Sequence, residues 1–229
     1  MLPFRLRFRP IWLLYALAAV FLVSLLLTAP LQWINPPTTA FILQDGQAGD
    51  EPLRARWVPL ERMAGVVPMA VVASEDQKFP NHFGFDFEAI AQALAENRDR
   101  TRGASTLTQQ LAKNLYLWPG RSLFRKGIEA WLTLWIELTW SKERILEVYL
   151  NVVEFGPGVY GIFEASDYHF GKTPDRLTER EAALLAAVLP NPKRMSAGEP
   201  SSYVYRRALD IEHAIGYLGG SQYLASVIK

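Results

Sequence analysis

Ser105, Gln109 and Lys113 stand at i, i+4 and i+8 in the stretch Arg102-Gly103-Ala104-Ser105-Thr106-Leu107-Thr108-Gln109-Gln110-Leu111-Ala112-Lys113-Asn114. A helix opening after Gly103 puts this hydroxyl, amide and ammonium on one face, and Leu107, Leu111 and Leu115 on the other. One side can then be buried while the other meets an anion, helped by helix N-terminal amides that favour negative charge. An ordinary amphipathic surface helix shows the same two faces. Carboxylates elsewhere supply a second kind of chemistry. Glu75 and Asp76 are adjacent, with His82 and Asp86 following, and Arg125, Lys126 and Glu129 share a helical stretch. On spacing alone, Arg125 and Glu129 at i, i+4 also fit a surface ion pair worth under ~1 kcal/mol. No common zinc motif fits Asp76, His82 and Asp86.

Four blocks occur in order. They are Glu75-Asp76-Gln77-Lys78-Phe79-Pro80-Asn81-His82-Phe83-Gly84-Phe85-Asp86, the Ser105 to Asn114 stretch, Arg125-Lys126-Gly127-Ile128-Glu129, and Ser141-Lys142-Glu143-Arg144-Ile145-Leu146-Glu147-Val148-Tyr149-Leu150-Asn151. Together they closely resemble the signature blocks of the peptidoglycan glycosyltransferases, glycosyltransferase family 51. The resemblance runs from near Trp57 to Pro192, and the order of four blocks is far more specific than any single one. With the chain stopping at Lys229, it is similar to the monofunctional biosynthetic form, without a transpeptidase domain.

The resemblance implies transfer of a growing glycan from its polyprenyl pyrophosphate to the 4-hydroxyl of lipid II, with inversion and one general base. It places Glu75 in that role, since a sugar hydroxyl needs its proton removed in the transition state and a positioned carboxylate contributes ~10² to 10⁴-fold. It makes Glu129 the second important acid, held by neighbouring bases. Ile128 stands where relatives often carry a basic residue. Lys113 and Arg121 are expected at the leaving pyrophosphate, with Ser105, Gln109 and Gln110 orienting sugar and phosphate oxygens and Arg125 and Lys126 completing the substrate-binding set. Asp76, His82, Asp86 and Asn114 take supporting places. No protein-held metal is expected, although a divalent cation, magnesium or manganese, could accompany the pyrophosphate. Two other classes compete. A membrane-anchored muramidase would also be helical and glutamate-dependent but has no use for Lys113 and Arg121, and a non-catalytic scaffold need not keep Glu75 or Lys113. A Ser-x-x-Lys at Ser226 lies at the last four residues and is treated as chance.

These residues need a scaffold and an address. The chain has 229 residues, half of them hydrophobic, enough for one domain with a real core. A net charge of +1 gives no global basic field, which argues against nucleic acid as a partner. Cysteine is absent, so disulfides and thiol chemistry are excluded. Residues 11–29 are apolar but for Tyr15, Ser24 and Thr28, and span roughly 28 Å as a helix, about a bilayer core. The run exceeds the apolar core of a cleaved signal and lacks a small-x-small cleavage site, so an uncleaved anchor is expected. Arg5, Arg7 and Arg9 precede it, whereas the next basic residue is Arg54. The positive-inside rule therefore puts residues 1–10 in the cytoplasm and the remainder on the periplasmic side of a bacterial inner membrane.

Residues 30–56, with Pro36-Pro37, read as an extended linker, and 57–229 as the glycosyltransferase domain. Helices are expected over 68–75, 86–97, 105–116, 122–140, 142–152 with Ser141 as N-cap, 182–189 behind a Thr178/Glu181 capping box, and 201–218. Few runs alternate as strands do, so the fold class is all-α, which the resemblance sharpens to a lysozyme-like helical domain behind one transmembrane helix. The block from Gly156 to Lys172 is expected to be structural. Trp118, Trp131, Trp135 and Trp140 are four of seven tryptophans. They suit a core, but beside a site for a lipid-tailed substrate they point to membrane-lipid contact by at least part of 115–124. Lipid II, the nascent glycan and membrane lipid are thus the expected partners, with cell-wall synthesis or division proteins as further candidates.

Overall fold

The structure, a computed structural model, describes residues 10–48, 53–95, 105–120 and 122–228. Arg5, Arg7, Arg9 and Arg121, and the residues 102–104 that open the expected anion-binding helix, lie outside them.

The first described element is α1 (Pro10–Thr28), whose side chains are exposed over most of its length. The apolar span Ile11–Gln32 is long enough to cross a membrane. Among the described residues, the contacts of α1 with the body come from its C-terminal half. There Ser24 accepts a hydrogen bond from Trp131 Nε1 (2.8 Å), Thr28 O accepts one from Trp140 Nε1 (2.9 Å), and Leu27 O accepts one from the Tyr116 hydroxyl (3.0 Å). Phe21 meets Trp135 edge to face, with ring centroids 4.6 Å apart.

The stretch 30–56 is not an extended linker throughout. A short helix, α2 (Ala40–Gln44), is capped by Thr39, whose side chain accepts from Ile42 N. Polar side chains dock it, which is why no apolar periodicity betrays it. Gln44 Nε2 donates to Leu117 O (3.1 Å), the Tyr160 hydroxyl donates to Asp45 (2.7 Å), and Lys193 pairs with Asp45 at 3.0 Å.

The helical body follows: α3 (Val66–Glu75), α4 (Phe87–Ala95), α5 (Leu107–Tyr116), α6 (Leu123–Thr139) and α7 (Lys142–Val152). A small hairpin, β1 (Glu154–Gly156) and β2 (Val159–Tyr160), leads into α8 (Ile162–Phe170), α9 (Glu179–Val188) and α10 (Ser202–Leu218). The expected helices are present, 142–152 with the bounds expected and the others with ends shifted by up to three residues, and the Ser141 cap and the Thr178/Glu181 capping box are formed; positions 96–97 of the expected 86–97 helix lie outside the described residues. The hairpin and α8 were not foreseen. Two- and three-residue strands carry no alternation to read, and α8 opens on Gly161 at φ 81° without a side-chain cap.

Because α9 is buried from Ala182 to Val188, it can serve as a central rod packed between α3 and α10, while α5 lies against α6 and α7. Small alanines let the neighbours approach closely. The core joins Val71, Leu111, Ile136, Leu146, Tyr149 and Leu185 in one cluster. Glu75 ends α3 and Lys113 lies in the last turn of α5, so the core sets the separation of the two chemistries.

Candidate active site

Glu75 is the last residue of α3, where the chain turns into Asp76 with φ −160°. Its Oε1 accepts from Ser74 Oγ (3.0 Å) and from Arg207 Nη2 (3.2 Å), and its Oε2 accepts from Gln110 Nε2 (3.1 Å). The amide of Gln110 is oriented in turn, because its Oε1 accepts from the fully buried Tyr149 hydroxyl at 2.9 Å. Burial, then the charges of Glu75 and Asp76, push the Tyr149 phenol well above its ordinary pKa, so it stays a donor.

Asp76 is buried and works on the loop after Glu75. One oxygen faces His82 Nε2 at 2.8 Å, and the other accepts from Leu107 N (2.9 Å) at the first turn of α5. A carboxylate there complements the helix N-terminus and ties Glu75's neighbour to the helix carrying Gln110 and Lys113. Asp86 caps α4 by accepting from Ala89 N at 3.0 Å.

The helix expected to open after Gly103 begins later, at Leu107. Thr106 is its N-cap in a capping box with Gln109, whose Oε1 accepts from Thr106 N at 3.1 Å. Ser105 therefore precedes the helix, and Gln109, 4% exposed, spends its carbonyl oxygen on the cap. Lys113 is held among α5, α6 and α2, with its ammonium 5.3 Å from the Phe41 ring centre. Burial lowers its pKa, with Arg125 and Lys126 acting in the same direction against Glu129 and Glu75.

Arg125 and Glu129 do not form a surface pair. Glu129 is 2% exposed and Arg125 8%, with Arg125 Nη1 2.7 Å from Glu129 Oε2. Lys126 takes the other oxygen and also donates to Ser105 Oγ at 3.3 Å. A buried carboxylate between two cations is a fixed charge array, and loss of one member leaves the others uncompensated. Ile128 packs against the core, so it makes none of the polar contacts a base would make there.

Glu75, Ser105, Gln109, Gln110, Lys113, Arg125, Lys126 and Glu129 all line one open cleft of about 290 Å³. Glu75 and Ser105 also border a hollow of about 280 Å³ beside Asp86 and Gln92. Gln110 and Lys113 border another of about 180 Å³, walled by Phe41, Asn114 and Tyr160. The three share walls, so Glu75 and Lys113 lie along one continuous groove. Arg207, Ser74 and Phe41 were missed by sequence reasoning. Arg207 reaches Glu75 from 132 positions away, and no local pattern could announce it. Among the described residues no group of three or more His, Asp or Glu could hold a metal ion.

Glutamates, lysines and an arginine thus line one cleft on a helical scaffold. The transglycosylase family model matches residues 44–214, and the chain belongs to that family, with its all-α, lysozyme-like fold. The chain is 52% identical over 208 residues to a biosynthetic peptidoglycan transglycosylase of Pseudomonas putida, covering 88% of each chain. A protein of the same description from Ectopseudomonas mendocina is 50% identical over 219 residues, 93% of this chain and 90% of its own. One from Stutzerimonas stutzeri is 50% identical over 214 residues, 90% and 88% respectively. The matched region starts at residue 44, within the docked stretch before Trp57.

Proposed function

We propose that this peptidoglycan glycosyltransferase polymerises lipid II by in-line displacement, with Glu75 as general base. The observation that carries the reading is the cleft that Glu75, Glu129, Lys113, Arg125 and Lys126 line together. The acceptor's 4-hydroxyl gives its proton to Glu75 as its oxygen attacks the donor's anomeric carbon from the face opposite the pyrophosphate. The bond to the phosphate oxygen breaks, its electron pair leaves with the pyrophosphate, and an α bond becomes β.

Charge builds on the leaving group, and Lys113 with Arg121 receives it. At an effective dielectric of ~20, one cation about 4 Å from a unit negative charge contributes on the order of 4 kcal/mol before desolvation. Ser105, Gln109, Gln110, Arg125 and Lys126 orient sugar and phosphate oxygens, and Glu129 holds the basic pair in place. Among the described residues no group of three or more His, Asp or Glu is placed to hold a divalent ion, so a magnesium or manganese ion would arrive with the pyrophosphate.

The helix α1 is the single-pass anchor, with the N-terminus cytoplasmic and the catalytic domain on the periplasmic side of the inner membrane. Arg5, Arg7 and Arg9 before the apolar span support that orientation. Trp118, Leu123 and Phe124 are exposed and support lipid contact by residues 118–124, whereas Leu115 and Leu117 belong to the core. The test is incubation of the full chain with purified lipid II. Lipid-linked polymer on a gel supports the reading, and release of cleaved glycan from preformed strands without polymer would support a muramidase instead.

A further inference from the structure

The geometry points to Arg207, on α10, as a positioning residue for the proposed base Glu75. This deepens the general-base reading above and rests on it. Arg207 Nη2 is shared between Glu75 Oε1 (3.2 Å) and Ser74 Oγ (3.1 Å), and Ser74 Oγ itself lies 3.0 Å from the same carboxylate oxygen. Arg207, Ser74 and Glu75 Oε1 thus close a triangle of hydrogen bonds. Gln110, fixed by Tyr149, holds Oε2 from the opposite side.

A glutamate at a helix end has three rotatable side-chain bonds, and the final turn does not choose among their rotamers. Two donors on opposite oxygens do choose. They fix the plane of the carboxylate, leaving its remaining lone pairs to face the groove, and proton abstraction depends steeply on that placement. The guanidinium also places a charge-assisted donor on the carboxylate, a stronger restraint than a neutral one. Its side chain is 29% exposed and that of Glu75 13%, so the contact lies at the groove's edge.

Other side chains carry the packing of α10. Val204, Ala208, Ile211 and Ile215 form the buried stripe that seats α10 on its neighbours, and Arg207 lies beside that stripe.

The test is a double-mutant cycle on the full chain with lipid II. Arg207→Ala should lower kcat by about 10- to 100-fold with KM within about threefold, the scale of a misplaced catalytic group. Arg207→Lys, which can still reach one oxygen, should recover most of that loss. In a Glu75→Gln background, Arg207→Ala should change the residual rate by less than about threefold, because the group it positions is gone. If Arg207→Ala shows a disturbed circular dichroism spectrum, Arg207→Gln serves in the same cycle with the same expectation. Losses that multiply in the double variant, or wild-type kcat in Arg207→Ala while Glu75→Gln is impaired, overturn the positioning role and leave the base assignment standing. Full turnover by Glu75→Gln overturns both.

Discussion

Changing Trp118, Leu123 and Phe124 together to Ser should detach the catalytic domain from lipid wherever α1 no longer holds it. Trp118 is 44% exposed, Leu123 93% and Phe124 75%, all at the entry to α6. With aromatic side chains of ~150–250 Å² each, the three present on the order of 400 Å² of apolar surface. At about 25 cal/mol per Å², complete immersion would be worth about 10 kcal/mol, and immersion of a third about 3 kcal/mol. That lower figure is still a partition coefficient changed about 10²-fold. The parent for the comparison lacks residues 1–20 and keeps Phe21, Ser24, Leu27 and Thr28, so Trp131, Trp135 and Trp140 retain their partners on α1. Flotation with anionic vesicles measures the partitioning, and circular dichroism checks the fold. Equal flotation by triple variant and parent would refute the reasoning and make this surface solvent-facing.

Other outcomes follow from the same geometry. Glu129→Gln should reduce turnover severely, because Arg125 and Lys126 then face an amide, and steady-state rates with lipid II check it. Burial lowers the Lys113 pKa, and the ammonium is charged only below that value, so polymerisation should fall as pH rises through it, ahead of the ordinary lysine range. Lys113→Arg, charged at any working pH, should carry activity further into alkali, and identical alkaline limbs would remove Lys113 from the pyrophosphate site. Gly158→Ala should lower the melting temperature, since φ is +74° and an added Cβ would stand 2.1 Å from Gln47 O, forcing residues 45–48 off the hairpin. An unchanged melting curve would contradict that docking.

Local chemistry made much of this protein legible in advance. Ser141, Thr178 and Glu181 announce their helix starts because a cap is a contact between near neighbours in sequence. The apolar run at residues 11–29 announces α1 for the same reason, being a property of one continuous segment. Glu75, Lys113 and Glu129 were placed in one site through the resemblance, and the cleft they line together has the acids and cations on its walls. What stayed hidden is made between segments. Arg207 meets Glu75 only because α10 packs on α3, and α2 is held by Gln44 and Asp45 reaching residues more than seventy positions away. The Arg125–Glu129 pair shows the limit most clearly. Its i, i+4 spacing suits an exposed pair equally well, and only the packing of α6 buries it. Ser105 and Gln109 mark a smaller shift, because the capping box at Thr106 moved the helix start past Ser105 and engaged Gln109 in the backbone.

The most direct test of the account is polymerisation of lipid II by the full chain and by Glu75→Gln, compared at equal protein and detergent concentration. The substitution keeps the side chain's shape and removes the proton acceptor. The account predicts glycan polymer from the unaltered protein and a rate at least ~10²-fold lower from the variant, with substrate binding little changed. Near-normal polymer from Glu75→Gln would contradict the central claim and require another group in the cleft, Glu129 first, to take the proton.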